Sequence, residues 1–226
     1  MSISAHRVYQ CTQSNCRFRF PVMEREIDSC PRCHAALQLC HIQYRRSEMA
    51  EIAASPQQPQ GQTPQIDILL DNVRSAYNVG SIFRTANAVG VQHLHLCGMT
   101  AIPTNSKVGK TALGAEKMVP WTYHTNSIDR AIELKEAGYT VWALEKCVDS
   151  TSLFDIKHHQ IRSPTALIIG NEISGVDPKL VEISDQVLHI PMQGDKRSLN
   201  VTVAFGIAIY SLKIRADDIN TLSQFT

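Results

Sequence analysis

Between residues 66 and 215 the chain alternates short apolar runs with amphipathic stretches, and this alternation limits the possible folds more than any other feature. Residues 66–70, 93–97, 140–144, 166–169 and 187–190 are rich in Val, Ile and Leu and read as buried strands. Residues 79–89, 127–137 and 199–215 read as helices, the second ended by Gly138. Asp177-Pro178 opens a short helix reaching Ile183, with proline at the first helical position. Strands alternating with helices predict an α/β domain around a mostly parallel sheet. Open sheets of that kind bind ligands at the carboxyl ends of their strands. Asn72, Glu145, Gly170 and Met192 all fall just after predicted strands, so several loops are expected to converge on one site.

Ahead of this domain lies a different composition. Residues 55–64 hold three prolines, four glutamines and no charge, which predicts a linker. The predicted organisation is therefore a small module over 1–54, a linker over 55–64 and the α/β domain over 65–226. Five of the seven cysteines lie in the first forty residues. Cys11-x4-Cys16 and Cys30-Pro31-Arg32-Cys33 have the spacing of two metal-binding knuckles, and the thirteen residues between the pairs fit a β-hairpin. Residues 18–22 and 37–44 read as β-like pieces of this ribbon. Four thiolates predict a closed, structural zinc site, since a segment this small has little core to stabilise it otherwise. Reduced, metal-free cysteines are the plainer reading. His34, Cys40 and His41 rank below the four cysteines as ligands. Arg17, Arg19, Arg25 and Arg32 form either a solvated face or a contact surface for phosphates.

The net charge of +1 does not announce a nucleic-acid binder, although a local basic patch can serve in a neutral protein. There is no apolar run of the roughly 20 residues a membrane helix needs and no signal-peptide pattern at the start, so a cytoplasmic location is expected. No Gly-x-Gly-x-x-Gly follows any predicted strand, which argues against a Rossmann-type methyltransferase or dehydrogenase.

Three further segments carry polar residues and glycine at strand ends. The first runs Asp71-Asn72-Val73-Arg74-Ser75-Ala76-Tyr77-Asn78-Val79-Gly80-Ser81-Ile82-Phe83-Arg84. The second is Ile168-Ile169-Gly170-Asn171-Glu172, and the third joins Ile190-Pro191-Met192 to Ser198-Leu199-Asn200-Val201. In this order and spacing the motifs resemble the SpoU (TrmH-like) branch of the SPOUT-class RNA methyltransferases. Thr111-Ala112-Leu113-Gly114-Ala115-Glu116 adds to the likeness. The resemblance implies a SPOUT α/β knot, a mostly parallel sheet with a C-terminal trefoil knot, here joined to a small N-terminal zinc ribbon. It implies S-adenosylmethionine as methyl donor, the ribose 2′-hydroxyl of a tRNA or rRNA as acceptor, and a homodimer to which the last helix contributes. Ser174 stands where the family usually has a second glycine or an aromatic, so the resemblance defines the class rather than one tRNA-guanosine enzyme.

By the same resemblance Arg84 is the central catalytic residue. Guanidinium stays protonated in proteins, so phosphate binding and alkoxide stabilisation suit Arg84 better than a literal base. Asn78, Glu172, Ser198 and Asn200 complete the implied catalytic set. Each also has a plainer reading: Asn78 as an N-cap, Glu172 as a solvated loop acid, Ser198 and Asn200 as caps of the last helix. Leu144, Gly170, Ile190, Met192 and Leu199 are expected to wall the donor pocket, with strand-end core as the rival for Leu144 and gap-filling for Met192. Two other functions remain open at this point: a non-catalytic RNA-binding or assembly protein that keeps the fold, and a ribbon that recruits a protein instead of RNA.

Overall fold

A computed structural model describes residues 5–23, 27–44, 65–161 and 164–222. The chain divides into two compact units, Met1–Gln60 and Gly61–Thr226. The predicted linker lies outside the described residues, as do Arg25 and the side chain of His41.

The first unit is a three-stranded antiparallel sheet in the order β2–β1–β3, with β1 spanning Ala5–Cys11, β2 Arg19–Met23 and β3 Leu37–Tyr44. The hairpin sits at the first cysteine pair, where β1 turns through Cys16 into β2, and not between the two pairs as the spacing predicted. The reason is local: the backbone N–H of Cys16 and of Arg17 both bond to the carbonyl of Gln13, closing the turn within the first knuckle. A bulge at Cys40 resets the register, since Val8 faces His41 while Tyr9 faces Leu39.

The second unit is a seven-stranded, all-parallel sheet. Its strands are β4 (Ile66–Asp71), β5 (Leu94–Cys97), β6 (Trp121–His124), β7 (Thr140–Leu144), β8 (Thr151–Ser152), β9 (Thr165–Ile169) and β10 (Gln186–His189). The order across the sheet is β6–β5–β4–β9–β7–β10–β8. The chain first steps outward from β4 to β6, then returns on the other side, and β9 fills the central place between β4 and β7. Such a reversal opens a crevice at the carboxyl ends of the strands.

Helices cover both faces. Alternate residues of β4 and β9 feed opposite cores, as the two-residue period of a strand requires. Ile66, Ile68, Leu70, Leu167 and Ile169 pack with α1 (Ala76–Ala88), α2 (Ser106–Ala112) and α5 (Val201–Leu222). Leu69, Ala166 and Ile168 pack with α3 (Ser127–Glu136) and α4 (Pro178–Ile183). Each fully buried Leu or Ile contributes about 1.5–3 kcal/mol, so the central strands anchor the domain. Helix starts follow the capping residues: Asn126 accepts from two N–H groups of α3, and Asp177 accepts from Lys179 N at α4. Arg215 ties α5 down by donating to the carbonyls of Phe154 and Ile156. Among the described residues, no helix is long and apolar enough to cross a membrane.

Candidate functional site

The carboxyl ends of β7, β9 and β10 and the stretch leading into α5 enclose a cleft of about 280 Å³. Leu144, Gly170, Ile190, Met192 and Leu199, the five residues expected to wall a donor pocket, all line it. Its volume is near the lower end of small-molecule clefts. Glu172 and Ser198 also reach it, together with Lys146 and Arg197, two exposed cations that sequence reasoning passed over. Arg197 stands directly before Ser198, and that position beside a motif serine was the available signal.

Gly170 is required by the loop that follows it. The loop after it folds back, with Asn171 and Gly175 exchanging backbone hydrogen bonds of 2.9 and 3.0 Å. A Cβ on Gly170 would collide with the backbone of Gly175 and Val176. Glycine is therefore required by the loop itself, before any ligand enters. Glu145 fixes the same loop by accepting from Val176 N at 2.9 Å.

Beside this cleft lies a polar one of about 400 Å³, lined by Arg74, Ser75, Asn78, Glu172 and Asn200. Glu172 joins the two. Its Oε2 accepts from Arg74 N at 2.8 Å, and its Oε1 accepts from Ser75 N at 3.0 Å and from the Asn78 amide at 2.9 Å. Burial alone would raise its pKa, but those N–H donors outweigh burial and hold the carboxylate below its ordinary range. Helix starts leave backbone N–H groups unpaired and favour negative charge nearby. Glu172 meets that need at the entry to α1 from nearly a hundred residues away. Asn171 adds a second tie, its amide donating to the Asn72 carbonyl at 2.7 Å. Bound in this way, Glu172 positions the start of α1 and the Asn78 amide, and is a poor proton acceptor.

The capping expectations shift by a few residues. Ser75 caps α1 by accepting from Asn78 N, so Asn78 is not the cap. Asn200 caps α5, its Oδ1 accepting from Thr202 N at 2.8 Å, and Ser198 is left facing the cleft at the ends of β7, β9 and β10. Arg84 is exposed on α1, six residues beyond Asn78. Six residues advance about 9 Å along a helix and turn roughly 120° from the starting direction. Arg84 lines neither cleft, and the structure does not bring it to the other four residues of the expected set.

In the first unit the sulfurs of Cys11, Cys16, Cys30 and Cys33 lie within 4.8 Å of one another. Cys11 and Cys33 are 3.4 Å apart and Cys16 and Cys30 are 3.9 Å apart. Four sulfurs about 2.3 Å from a tetrahedral zinc ion stand about 3.8 Å from each other, so the set fits such an ion. Burial opposes ionisation of Cys30, yet the N–H groups of Arg32 and Cys33 bring its thiol down to about 7. The Ala35 N–H lowers the Cys33 thiol, but crowding by the Cys11, Cys16 and Cys30 sulfurs outweighs it and pushes that thiol up to about 12, so of the two only Cys30 favours the thiolate without a cation present. His34 and Cys40 are not in the cluster.

A parallel sheet with a strand-end cleft, a glycine-bearing loop and a polar helix start makes an α/β scaffold of the kind that binds ligands at its strand ends. Residues 65–210 match the SpoU rRNA Methylase family, and the chain belongs to that family. It is 32% identical over 151 residues to a tRNA (guanosine(18)-2′-O)-methyltransferase of Aquifex aeolicus, covering 67% of this chain and 70% of that protein. It is 33% identical over 153 residues to the 23S rRNA (guanosine-2′-O-)-methyltransferase RlmB of Coxiella burnetii, covering 67% of this chain and 59% of that one. Among solved structures it resembles the A. aeolicus TrmH/SpoU tRNA modifying enzyme, with TM-score 0.62 and 30% identity over 72% of this chain and 80% of that one. It also resembles an AdoMet-bound rRNA methyltransferase from Sinorhizobium meliloti, with TM-score 0.62 and 27% identity over 68% and 57% of the two chains. The α/β fold class expected from the motifs stands.

Proposed function

We propose that this chain is an RNA ribose 2′-O-methyltransferase that takes its methyl group from S-adenosylmethionine and acts on a tRNA or rRNA. The observation that supports it best is the cleft where Leu144, Gly170, Ile190, Met192 and Leu199 meet, adjoining the polar Asn78–Glu172–Asn200 site. S-adenosylmethionine supplies an electrophilic methyl group on a sulfonium. The apolar walls and the loop after Gly170 hold the donor and exclude water. Glu172 keeps the start of α1 and the Asn78 amide in place, which leaves Asn78, Ser198 and Asn200 to orient the ribose. Arg84, exposed and cationic but outside both clefts of this chain, binds the phosphate beside the target.

The module over 1–54 carries a structural zinc on Cys11, Cys16, Cys30 and Cys33 and helps hold the RNA, with 55–64 as linker and 65–226 as the catalytic domain. The enzyme works as a cytoplasmic homodimer. Val203, Tyr210 and Ile214 form an exposed apolar stripe along α5 at helical spacing, which supports a second copy there. Two measurements test the function. Titration with S-adenosylmethionine is expected to raise the melting temperature. Mapping 2′-O-methyl groups in cellular RNA, with and without the protein, is expected to show a site that depends on it; an unchanged map in cells that express the protein would refute the proposal.

A further inference from the structure

The sheet of the first unit has two unlike faces. Tyr9 on β1 is opposite Phe20 on β2 and Leu39 on β3, so the three side chains share one face. The bulge at Cys40 puts Ile42 on that face as well, opposite Arg7. Phe18, two residues before Phe20, stacks on it with ring centroids 5.0 Å apart and planes 20° from parallel. Phe18, Leu39 and Ile42 are 37%, 45% and 39% exposed, so the face stands open within the described unit. Phe18 sits at the cysteine end of the sheet, where Arg17 and Arg32 are exposed, while Arg19 lies on the other face and donates to Gln10 at 3.2 Å.

Charge indicates what covers this face. Residues 1–54 contain seven arginines, no lysine and five acidic residues, for a net +2. Four thiolates with a zinc ion would add −2 and make the module neutral as a whole, so the attraction for an anion is local, at the exposed Arg17 and Arg32 of the cysteine end. Arginine used exclusively, beside open aromatic rings, suits a ligand with both phosphates and flat π-faces: guanidinium forks onto phosphate and stacks on bases, while each base stacks on an aromatic ring. A protein partner or a second copy of this chain would account for the apolar residues but not for the cationic rim.

We infer that the Phe18–Phe20 face is a binding platform for unpaired nucleotides of the RNA, with bases stacked on Phe18 and phosphates held by Arg17 and Arg32. This rests on the reading of the chain as an RNA methyltransferase and gives the ribbon its ligand class: single-stranded RNA, held with little sequence preference.

The test is fluorescence anisotropy of a fluorescein-labelled, single-stranded ten-nucleotide RNA with the zinc-loaded full chain. Phe18→Ala and Phe20→Ala are each expected to weaken binding by roughly fivefold to a hundredfold, the loss typical of one stacked base. Phe18→Trp should keep the affinity. Arg17→Ala and Arg32→Ala should lower the salt dependence by about one counterion each. Zinc content and the thermal shift given by S-adenosylmethionine, which report the two folds, should stay at wild-type values in every variant. Unchanged affinity in Phe18→Ala and Phe20→Ala with zinc retained would overturn the inference. So would a change in the sedimentation mass of the RNA-free protein, which would make a second copy the occupant. A wild type that methylates RNA beside variants that bind normally removes the platform alone, whereas a wild type that transfers no methyl group removes the function on which the platform rests.

Discussion

Replacing Glu172 with glutamine keeps the shape of the side chain and removes its charge. The carboxylate accepts three hydrogen bonds, two at Oε1 and one at Oε2. Glutamine has one accepting oxygen. Its best orientation places that oxygen at the Oε1 position, keeps the bonds from Ser75 N and Asn78, and turns an NH₂ toward Arg74 N. One hydrogen bond is lost, worth about 1 kcal/mol, and the two that remain weaken from charge-assisted to neutral. The favourable charge at the start of α1, about 0.3–1 kcal/mol, goes too. Glu172 is exposed to solvent, which discounts each contribution and leaves about 1–2 kcal/mol in total. For a domain of this size that is a fall in Tm of about 2–8 °C at neutral pH. The pKa of Glu172 is lowered on folding, so its contribution is complete above the unfolded value near 4.5 and is lost as pH falls through the folded one. Melting curves of the two proteins, recorded by calorimetry from pH 7 downward, should therefore converge in acid. Equal Tm values at pH 7, or a gap that persists unchanged below the carboxylate range, would refute Glu172 as the anionic tie of α1.

The other expectations concern separate parts of the molecule. Gly170→Ala should displace the loop through Gly175 and Val176 and abolish the thermal shift given by S-adenosylmethionine, while circular dichroism keeps the α/β signature. Chelating zinc should melt the first unit and leave the second folded, so loss of the sheet signal from both on treatment with chelator would contradict independent units. The edge of the sheet makes the protein acid-sensitive: the Thr122 hydroxyl lies 3.0 Å from His93 Nε2 and 2.8 Å from His124 Nε2. Burial, then repulsion from His95, lowers the His93 pKa, and burial, then repulsion from Arg130, lowers that of His124. Depressed histidines contribute stability above their ordinary value near 6.5 that is lost as pH falls through the folded values. Tm should decline below pH 6.5, and the paired variant His93→Gln/His124→Gln should flatten that decline; an equally steep curve would show the acid sensitivity to lie elsewhere.

Elements marked by strong local signals were legible in the sequence. The helix α3 has its Asn126 cap and the stop at Gly138, whose φ of 89° requires glycine, and α4 has Asp177-Pro178. The central strands β7 and β9 are nearly continuous apolar runs because both faces are covered, and β4 keeps that pattern apart from the buried Asp67 and Asp71. The short helix α2 escaped detection: its seven residues contain two lysines and Gly109, and tertiary packing against Gly80 on α1 holds it. The edge strand β6 was missed because Trp121–His124 is half exposed and carries little apolar pattern. In the ribbon, β1 was not foreseen, and so the hairpin was placed one segment too late. The five cleft residues come together because Leu144 ends β7, Gly170 and Ile190 directly follow β9 and β10, and Met192 and Leu199 lie in the stretch from β10 to α5. The partners of Glu172 were hidden because Arg74 and Ser75 lie 98 and 97 residues away, a contact that only the closed sheet creates.

The central claim is tested most directly by the position of the transferred methyl group. The full chain is incubated with tritiated S-adenosylmethionine and total tRNA or rRNA, and the RNA is then hydrolysed in alkali. A 2′-O-methyl group blocks cleavage at its own nucleotide, so the predicted result is label in an alkali-resistant dinucleotide, lost in Arg84→Ala while the donor still raises Tm. Label released in ordinary mononucleotides would place the methyl on a base and contradict the account, as would undiminished transfer by Arg84→Ala.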